Sequence, residues 1–220
     1  MTKDMPDAGP AYLDGTIASY LDKLASAEPE PGGGSVAALV GALGAGLVTM
    51  VTSLTLGKEK FAAVEDDMAA IAAAAEELRT RLGEFVSLDA KAYRAVAVAM
   101  KLPRDTEEQK KERGVILQDA LKGAADVPLR VAEAAAEVAR LSLPAAEKGN
   151  PHAVSDAGVA VLLAEAAAQS AALNVKINLA WIEDAEFNRQ AWERTEVILA
   201  ETARLREEVM ALTYSKLSAA

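Results

Sequence analysis

The residues from 36 to 56 carry no charged side chain, and this stretch most limits the folds open to the chain. About 20 apolar residues are enough to span a bilayer, so a transmembrane helix must be considered first. However, glycine, serine and threonine lower the hydrophobicity of the stretch, and no aromatic belt flanks it. Both features disfavour membrane insertion. We therefore expect no membrane partner and predict a helix buried inside a helical bundle.

Most of the remaining sequence repeats its apolar residues with the period of an α-helix, and no segment alternates as a strand does. We predict an all-α fold, a single-domain multi-helix bundle with long buried helices, in which residues 1–10 form a flexible N-terminal tail and residues 11–220 the domain. The predicted helices cover residues 11–27, a segment following Ser35, residues 59–100, residues 115–143, a segment capped by Ser155, and residues 184–217. Because the apolar helix needs neighbours on all sides, we also predict a two-fold homodimer.

Composition excludes several kinds of chemistry. The chain has no cysteine, which rules out disulfides and thiolate nucleophiles, and His152 is its only histidine, which rules out a multi-histidine zinc site. A net charge of -10 disfavours nucleic acid as a partner, because nucleic-acid binding needs clustered lysine and arginine. The first ten residues lack the apolar core of a secretory signal, so we expect a cytoplasmic protein.

A glycine-rich segment precedes the apolar stretch. Its sequence is Pro-Gly-Gly-Gly at residues 31–34, followed by Ser35, a residue type that caps helix N-termini. Such a junction can hold an anionic or polar ligand on free backbone amides, although an ordinary linker followed by an N-cap explains it equally well. No Gly-Lys-Ser/Thr follows and no strand precedes the segment, so nucleotide-binding loops are disfavoured.

Asp89 is the most suggestive carboxylate in the sequence. Its helical neighbours, among them Phe85, Val86 and Val96, are apolar, and no basic residue shares that face. Burying an unpaired carboxylate is costly and is found mostly where the group binds or reacts, although an aspartate at the edge of the stripe could also reach solvent.

Other polar residues allow both a functional and a structural interpretation. Ser170, Asn174 and Asn178 are spaced by four and form a polar seam, which either holds a heteroaromatic ring or locks two helices together. Lys58 and Lys60 follow the apolar helix and either offset its negative end or bind an anion. The same alternatives apply to Lys101 and Arg104, and an acid such as Asp156 beside Ser155 suits the first turn of a helix.

Taken in order, four motif blocks resemble the formiminotetrahydrofolate cyclodeaminase and methenyltetrahydrofolate cyclohydrolase family. The blocks are residues 31–35 with 57–61, residues 89–93 leading to Leu102-Pro103, residues 149–150 with 153–158, and residues 173–178. Two positions depart from the family pattern, because Phe61 replaces a common tyrosine and Pro151-His152 replaces the usual residues after Asn150.

The resemblance implies an all-helical dimer with a folate site near the subunit interface and no metal or redox cofactor. It implies that Asp89 is the catalytic residue. The implied substrate-binding residues are Gly32, Gly33, Gly34, Ser35, Lys58, Lys60, Asn150, Ser155, Asp156, Asn174 and Asn178.

Two folate reactions and one non-enzymatic role remain open. We favour a methenyltetrahydrofolate cyclohydrolase, a hydrolase of one-carbon metabolism that converts 5,10-methenyltetrahydrofolate reversibly to 10-formyltetrahydrofolate, because this chain carries no fused formiminotransferase. The first alternative is a formiminotetrahydrofolate cyclodeaminase that releases ammonia from 5-formiminotetrahydrofolate. The second is a non-catalytic helical interaction protein.

Overall fold

A computed structural model describes residues 12–218, and within that range the chain is helical and contains no strand. The α-helices are α1 (Ile17–Leu24), α2 (Gly33–Ser53), α3 (Glu65–Met100), α4 (Glu107–Lys148), α5 (Val154–Leu179) and α6 (Ala185–Ser218). Short 3-10 helices at Glu59–Val64 and Pro151–Ala153 lead into α3 and α5. The all-α prediction is confirmed. The tail predicted at residues 1–10 lies outside the described residues.

The apolar helix α2 lies at the centre of the bundle. It packs against α3 and α5 and also contacts α4, which in turn contacts α3, α5 and α6. Small residues allow these close contacts: a Cβ added at Gly44 would stand only 3.1 Å from the carbonyl oxygen of Ala160 on α5, and Ala45 is fully buried. Glycine and alanine on α2 therefore let the α5 backbone approach closely.

Neighbouring contacts show that α2 runs antiparallel to α3 and α5. Near its beginning, Gly33 and Gly34 face Asn174 of α5 and Asp89 of α3. Near its end, the Gly57 amide donates to the Glu65 carboxylate at the start of α3, at 3.1 Å. One end of α2 therefore meets the C-terminal parts of its two neighbours.

Several helix boundaries differ from those expected from sequence. Helix α1 is much shorter than residues 11–27, because Thr16 caps it by accepting from the Ser19 amide at 3.0 Å. Ile17 is 82% exposed and Leu21 54%, and within α1 only Tyr20 is buried.

The other boundary errors concern helix caps. Helix α2 begins at Gly33 with Gly32 as its N-cap, so Ser35 lies inside the first turn. Ser155 likewise lies inside α5, and Asn150 caps the preceding 3-10 turn by accepting from the His152 amide at 3.2 Å. Helix α4 begins at Glu107, not near residue 115, because Thr106 and Gln109 form a capping box.

Two segments, Gly33–Ser53 and Pro151–Leu179, are long and apolar enough to cross a membrane by length and composition, and half of each is buried in the bundle. What remains exposed on them is a stripe on each helix. These stripes, called the apolar face below, contain Leu43 and Met50 of α2 with Leu54 just beyond its end, and Val159, Leu162, Leu173 and Ile177 of α5. Spacings of 3, 4, 7 and 11 residues keep each set on one side of its helix, as is typical of helices that pack against further helices.

Candidate functional site

A pocket of about 340 Å³ opens where α2 begins, between the C-terminal parts of α3 and α5 and the middle of α4. This volume lies in the range of small-molecule sites. Around the first turn of α2 its inner end is polar and is lined by Glu30, Gly32, Gly33, Gly34, Asp89 and Asn174, and Asn178 lies one turn further along α5, beside Ile177. Its outer end is apolar and is lined mainly by Tyr93, Val96, Met100, Ile177 and Trp181.

Asp89 lies on α3 directly against the first turn of α2. A Cβ added at Gly34 would collide with the Asp89 carboxylate, so this contact requires glycine. Burial raises the pKa of Asp89, the nearby Ser35 backbone amide opposes that effect, and the charge of Glu30 raises the pKa further. The geometry therefore holds an acid whose pKa is raised at the end of a helix that points amides toward it.

Ser35 lies behind the pocket wall and not on it. It is fully buried and does not line the pocket, and its Oγ lies 3.1 Å from the hydroxyl of Tyr20. Burial raises the pKa of Tyr20, so this phenol stays protonated near neutral pH. No motif in the sequence signals this polar contact of Tyr20.

Two members of the polar seam reach the pocket. The Asn174 amide group donates to the Ser170 carbonyl at 2.9 Å, and the Asn178 amide group donates to the carbonyls of Asn174 and Ala124, both at 2.9 Å. These contacts use both N–H donors of Asn178 and one of the two on Asn174, and they leave both Oδ1 atoms as acceptors. Asn178 thus locks α5 to α4, as one of the two alternatives for the seam predicts, and it also lines the pocket.

An ion pair that the sequence did not reveal fixes one wall. Arg94 of α3 donates through Nη1 to both carboxylate oxygens of Glu30, each at 2.7 Å. Glu30 belongs to the segment between α1 and α2, so the pair ties that segment to α3. The two residues are far apart in sequence and share no motif, which is why only the fold brings them together.

The remaining predicted residues lie at the opposite end of α2. Lys58 Nζ donates to the Leu54 carbonyl at 2.6 Å, and Asn150 Nδ2 donates to the same carbonyl at 3.1 Å. Lys60 lies over the Phe61 ring at 4.7 Å. Along α2 this end is about 28 Å from Ser35, because a helix rises 1.5 Å per residue.

Ser155 and Asp156 also lie at this end, in the first turn of α5, as expected for the acid. Within one chain the structure therefore brings together Asp89, the three glycines, Asn174 and Asn178. It places Lys58, Lys60, Asn150, Ser155 and Asp156 elsewhere.

The pocket combines three chemical properties. Its acid can take up or release a proton, and its lining contains two carboxylates, Asp89 and Glu30, and no lysine or arginine. The amide oxygens suit a heterocycle that presents N–H donors. These properties fit a cationic, donor-rich ring system with an apolar extension.

Known proteins resemble the chain over most of its length. The family model described as formiminotransferase-cyclodeaminase matches residues 16–197. A methenyltetrahydrofolate cyclohydrolase from Methylorubrum extorquens is 44% identical over 203 residues, covering 92% of this chain and 98% of that protein. A formimidoyltransferase-cyclodeaminase from Rattus norvegicus is 34% identical, covering 90% of this chain and 37% of the rat protein.

The fold has a solved counterpart. The crystal structure of a formiminotetrahydrofolate cyclodeaminase from Thermotoga maritima superposes with a TM-score of 0.83 at 32% sequence identity, covering 92% of this chain and 97% of that one.

Proposed function

Since this chain belongs to the formiminotransferase-cyclodeaminase family, we propose that it is a methenyltetrahydrofolate cyclohydrolase, which hydrolyses 5,10-methenyltetrahydrofolate reversibly to 10-formyltetrahydrofolate. The observation that carries the proposal is the position of Asp89, held in the pocket against Gly34 at the start of α2. The near full-length similarity to a named cyclohydrolase favours this reaction over its alternative.

The substrate carries a positive charge on the carbon that bridges N5 and N10. The Asp89 carboxylate stabilises this cation and accepts a proton from the water that adds to the bridging carbon. The adduct is a tetrahedral carbinol between the two nitrogens. Asp89 then returns its proton to N5 as the bond from carbon to N5 breaks, while the carbinol hydroxyl loses its proton to solvent and becomes the formyl oxygen on N10.

Atoms and charge balance in this scheme, because the cation and one water give neutral 10-formyltetrahydrofolate and one proton in each turnover. Proton transfer by a positioned acid contributes about 10²- to 10⁴-fold to rate. The raised pKa of Asp89 suits this role, because an acid closer to neutrality both accepts and donates a proton readily. The scheme uses no metal or redox cofactor, and we propose that the enzyme is cytoplasmic.

The alternative is formiminotetrahydrofolate cyclodeaminase activity, which the similarity to the Thermotoga maritima structure favours. In that reaction N10 attacks the 5-formimino carbon and ammonia leaves. The tetrahedral carbon again lies between N5 and N10, so Asp89 in the same position can stabilise charge and transfer a proton in this reaction as well.

An ultraviolet assay separates these possibilities. Loss of methenyltetrahydrofolate absorbance faster than in buffer supports the cyclohydrolase, and release of ammonia from 5-formiminotetrahydrofolate supports the cyclodeaminase. If the folded protein accelerates neither reaction, the remaining possibility is the non-catalytic helical interaction protein.

A two-fold homodimer completes the proposal. The apolar face lies on two helices that pack together, α2 and α5, and its exposed side chains include Leu43 at 55% and Leu173 at 73%. Two copies of such a face cover each other around a two-fold axis, because an isologous contact uses the same patch twice. Ile177 belongs both to this face and to the pocket wall, so the site lies beside the proposed interface.

A further inference from the structure

The pocket changes in character along its length. Asp89, Tyr93, Val96 and Met100 follow one another at helical spacing on α3, and all four line it. From the first to the last of them α3 advances about 16 Å. The pocket is therefore an elongated trough whose polar inner end and apolar outer end are separated by roughly three helical turns.

The outer end presents a broad apolar surface without a partner among the described residues. Tyr93 and Met100 are each 47% exposed, Ile177 is 64% exposed and Trp181 is 66% exposed. The first two lie on α3 and Ile177 on α5, with Trp181 just beyond the end of α5. A flat aromatic ring fits between two such walls, since aromatic and thioether side chains contact ring faces and edges favourably.

A cation lies just beyond this apolar end. Arg113 of α4 donates through Nη2 to the carbonyl oxygen of Met100 at 3.2 Å. Its Nε is shielded from solvent and has no hydrogen-bond partner among residues 12–218. This leaves a guanidinium group with unused donors next to the mouth of the pocket.

The pairing of the other arginines makes this position unusual. In the described part of the chain, nine of the eleven arginines lie within 4.0 Å of a carboxylate oxygen. The two that do not are Arg113 and Arg104, and Arg104 lies in the turn that follows Met100. Arginine binds carboxylates in a forked, charge-assisted geometry, so an arginine left without one is well suited to an anionic ligand.

We propose that Arg113 binds the glutamate carboxylate of the folate, with the p-aminobenzoyl ring lying between Met100 and Trp181. This inference rests on the proposed function, and it fixes the direction in which the substrate lies. The pterin, the aromatic ring and the anionic tail of a tetrahydrofolate follow one another in the same order as the polar end, the apolar end and the cation of the trough. This orientation places the bridging carbon at Asp89.

The test compares two substrates that differ only in the tail. For 5,10-methenyltetrahydrofolate, Arg113→Gln raises KM about tenfold, as expected for loss of one charge-assisted contact, with kcat within about twofold. For 5,10-methenyltetrahydropteroate, which lacks the glutamate, the same substitution leaves KM unchanged. Arg113→Lys restores part of the difference. Equal KM increases for both substrates, or no increase for either, would overturn the assignment.

Lys110→Gln is the matched control. Lys110 lies one turn earlier on α4 and pairs with Glu107 at 2.6 Å, so its substitution leaves KM unchanged for both substrates. Calorimetric binding of p-aminobenzoylglutamate separates the two proposals. If the wild type binds this fragment and Arg113→Gln does not, the subsite stands even when hydrolysis is not observed. If the wild type hydrolyses methenyltetrahydrofolate but both proteins bind the fragment equally, the subsite is rejected and the activity stands.

Discussion

Asp89 experiences two opposing influences whose balance fixes its protonation. Removal from water raises its pKa, and the Ser35 backbone amide acts in the opposite direction. The apolar neighbours that give this environment are readable from the sequence, because they recur at helical spacing around position 89. The Gly34 contact is not readable in that way, since it joins residues on different helices. Sequence reasoning therefore found the acid but not what lies against it.

We expect Asp89→Asn to reduce turnover by about 10²- to 10⁴-fold while raising thermal stability at neutral pH. A carboxyl whose pKa is raised in the folded state is more easily ionised in the unfolded state. Its contribution to stability is therefore favourable at low pH and is lost as pH rises from the ordinary aspartate range through the raised value.

The check is a series of melting temperatures from acid to neutral pH, alongside the ultraviolet assay. The wild type and Asp89→Asn should melt together at the acid end, and the variant should gain an advantage toward pH 7. Unchanged turnover would remove Asp89 from the mechanism, and a variant less stable at every pH would contradict the pKa shift.

A second prediction concerns Gly34. Gly34→Ala places a methyl group into the Asp89 carboxylate, so we expect a loss of about 1–3 kcal/mol in unfolding free energy together with a large loss of turnover. Gly123→Ala is the control, because a Cβ at this helical position meets nothing within 4 Å. It should stabilise the protein by about 0.5–1 kcal/mol, since alanine is the better helix former. Chemical denaturation of both variants measures the contrast.

Among the helices, the long apolar and amphipathic elements were predicted and the caps were not. The composition of α2 and the period of α3 specify helix whatever surrounds them. Helix starts were misplaced because several types of cap compete: the spacing of Thr106 and Gln109 is a capping-box pattern that the sequence does show, whereas the cap at Asn150 follows from no such pattern. Contacts between residues far apart in sequence were not predicted at all. Glu30 and Arg94 are an example, because they meet only after α3 packs beside α2.

Substitution of Asn178 tests whether this side chain contributes both to helix packing and to substrate binding. Asn178→Leu removes the donor to Ala124 on α4 and an acceptor in the pocket, so we expect a loss of about 1–2 kcal/mol in stability and a raised KM. Ser170→Ala removes a hydroxyl that bonds only its own helix, at Ala166, and should change stability and KM little. Equal effects of the two substitutions would show that Asn178 has no special position in the seam.

For the whole molecule, the arrangement of buried and exposed apolar surface predicts self-association. Leu43→Glu puts a charge in the apolar face and should convert the proposed dimer to a monomer, as measured by light scattering during size-exclusion chromatography. Val197→Glu introduces the same charge at a residue of α6 that is 68% exposed and lies outside the face, and should leave the dimer intact. A wild-type protein that elutes as a monomer at micromolar concentration would contradict this prediction.

The dual position of Ile177 has a thermodynamic consequence. Its side chain lines the cavity and also forms part of the exposed stripe on α5, so in the proposed dimer the second chain would touch the same group as a ligand in the cavity. Occupancy of the cavity and subunit association are then linked equilibria, and each changes the free energy of the other by an equal amount. Titrations at different enzyme concentrations should therefore yield different apparent affinities, and the dilution at which they diverge reports the strength of the linkage.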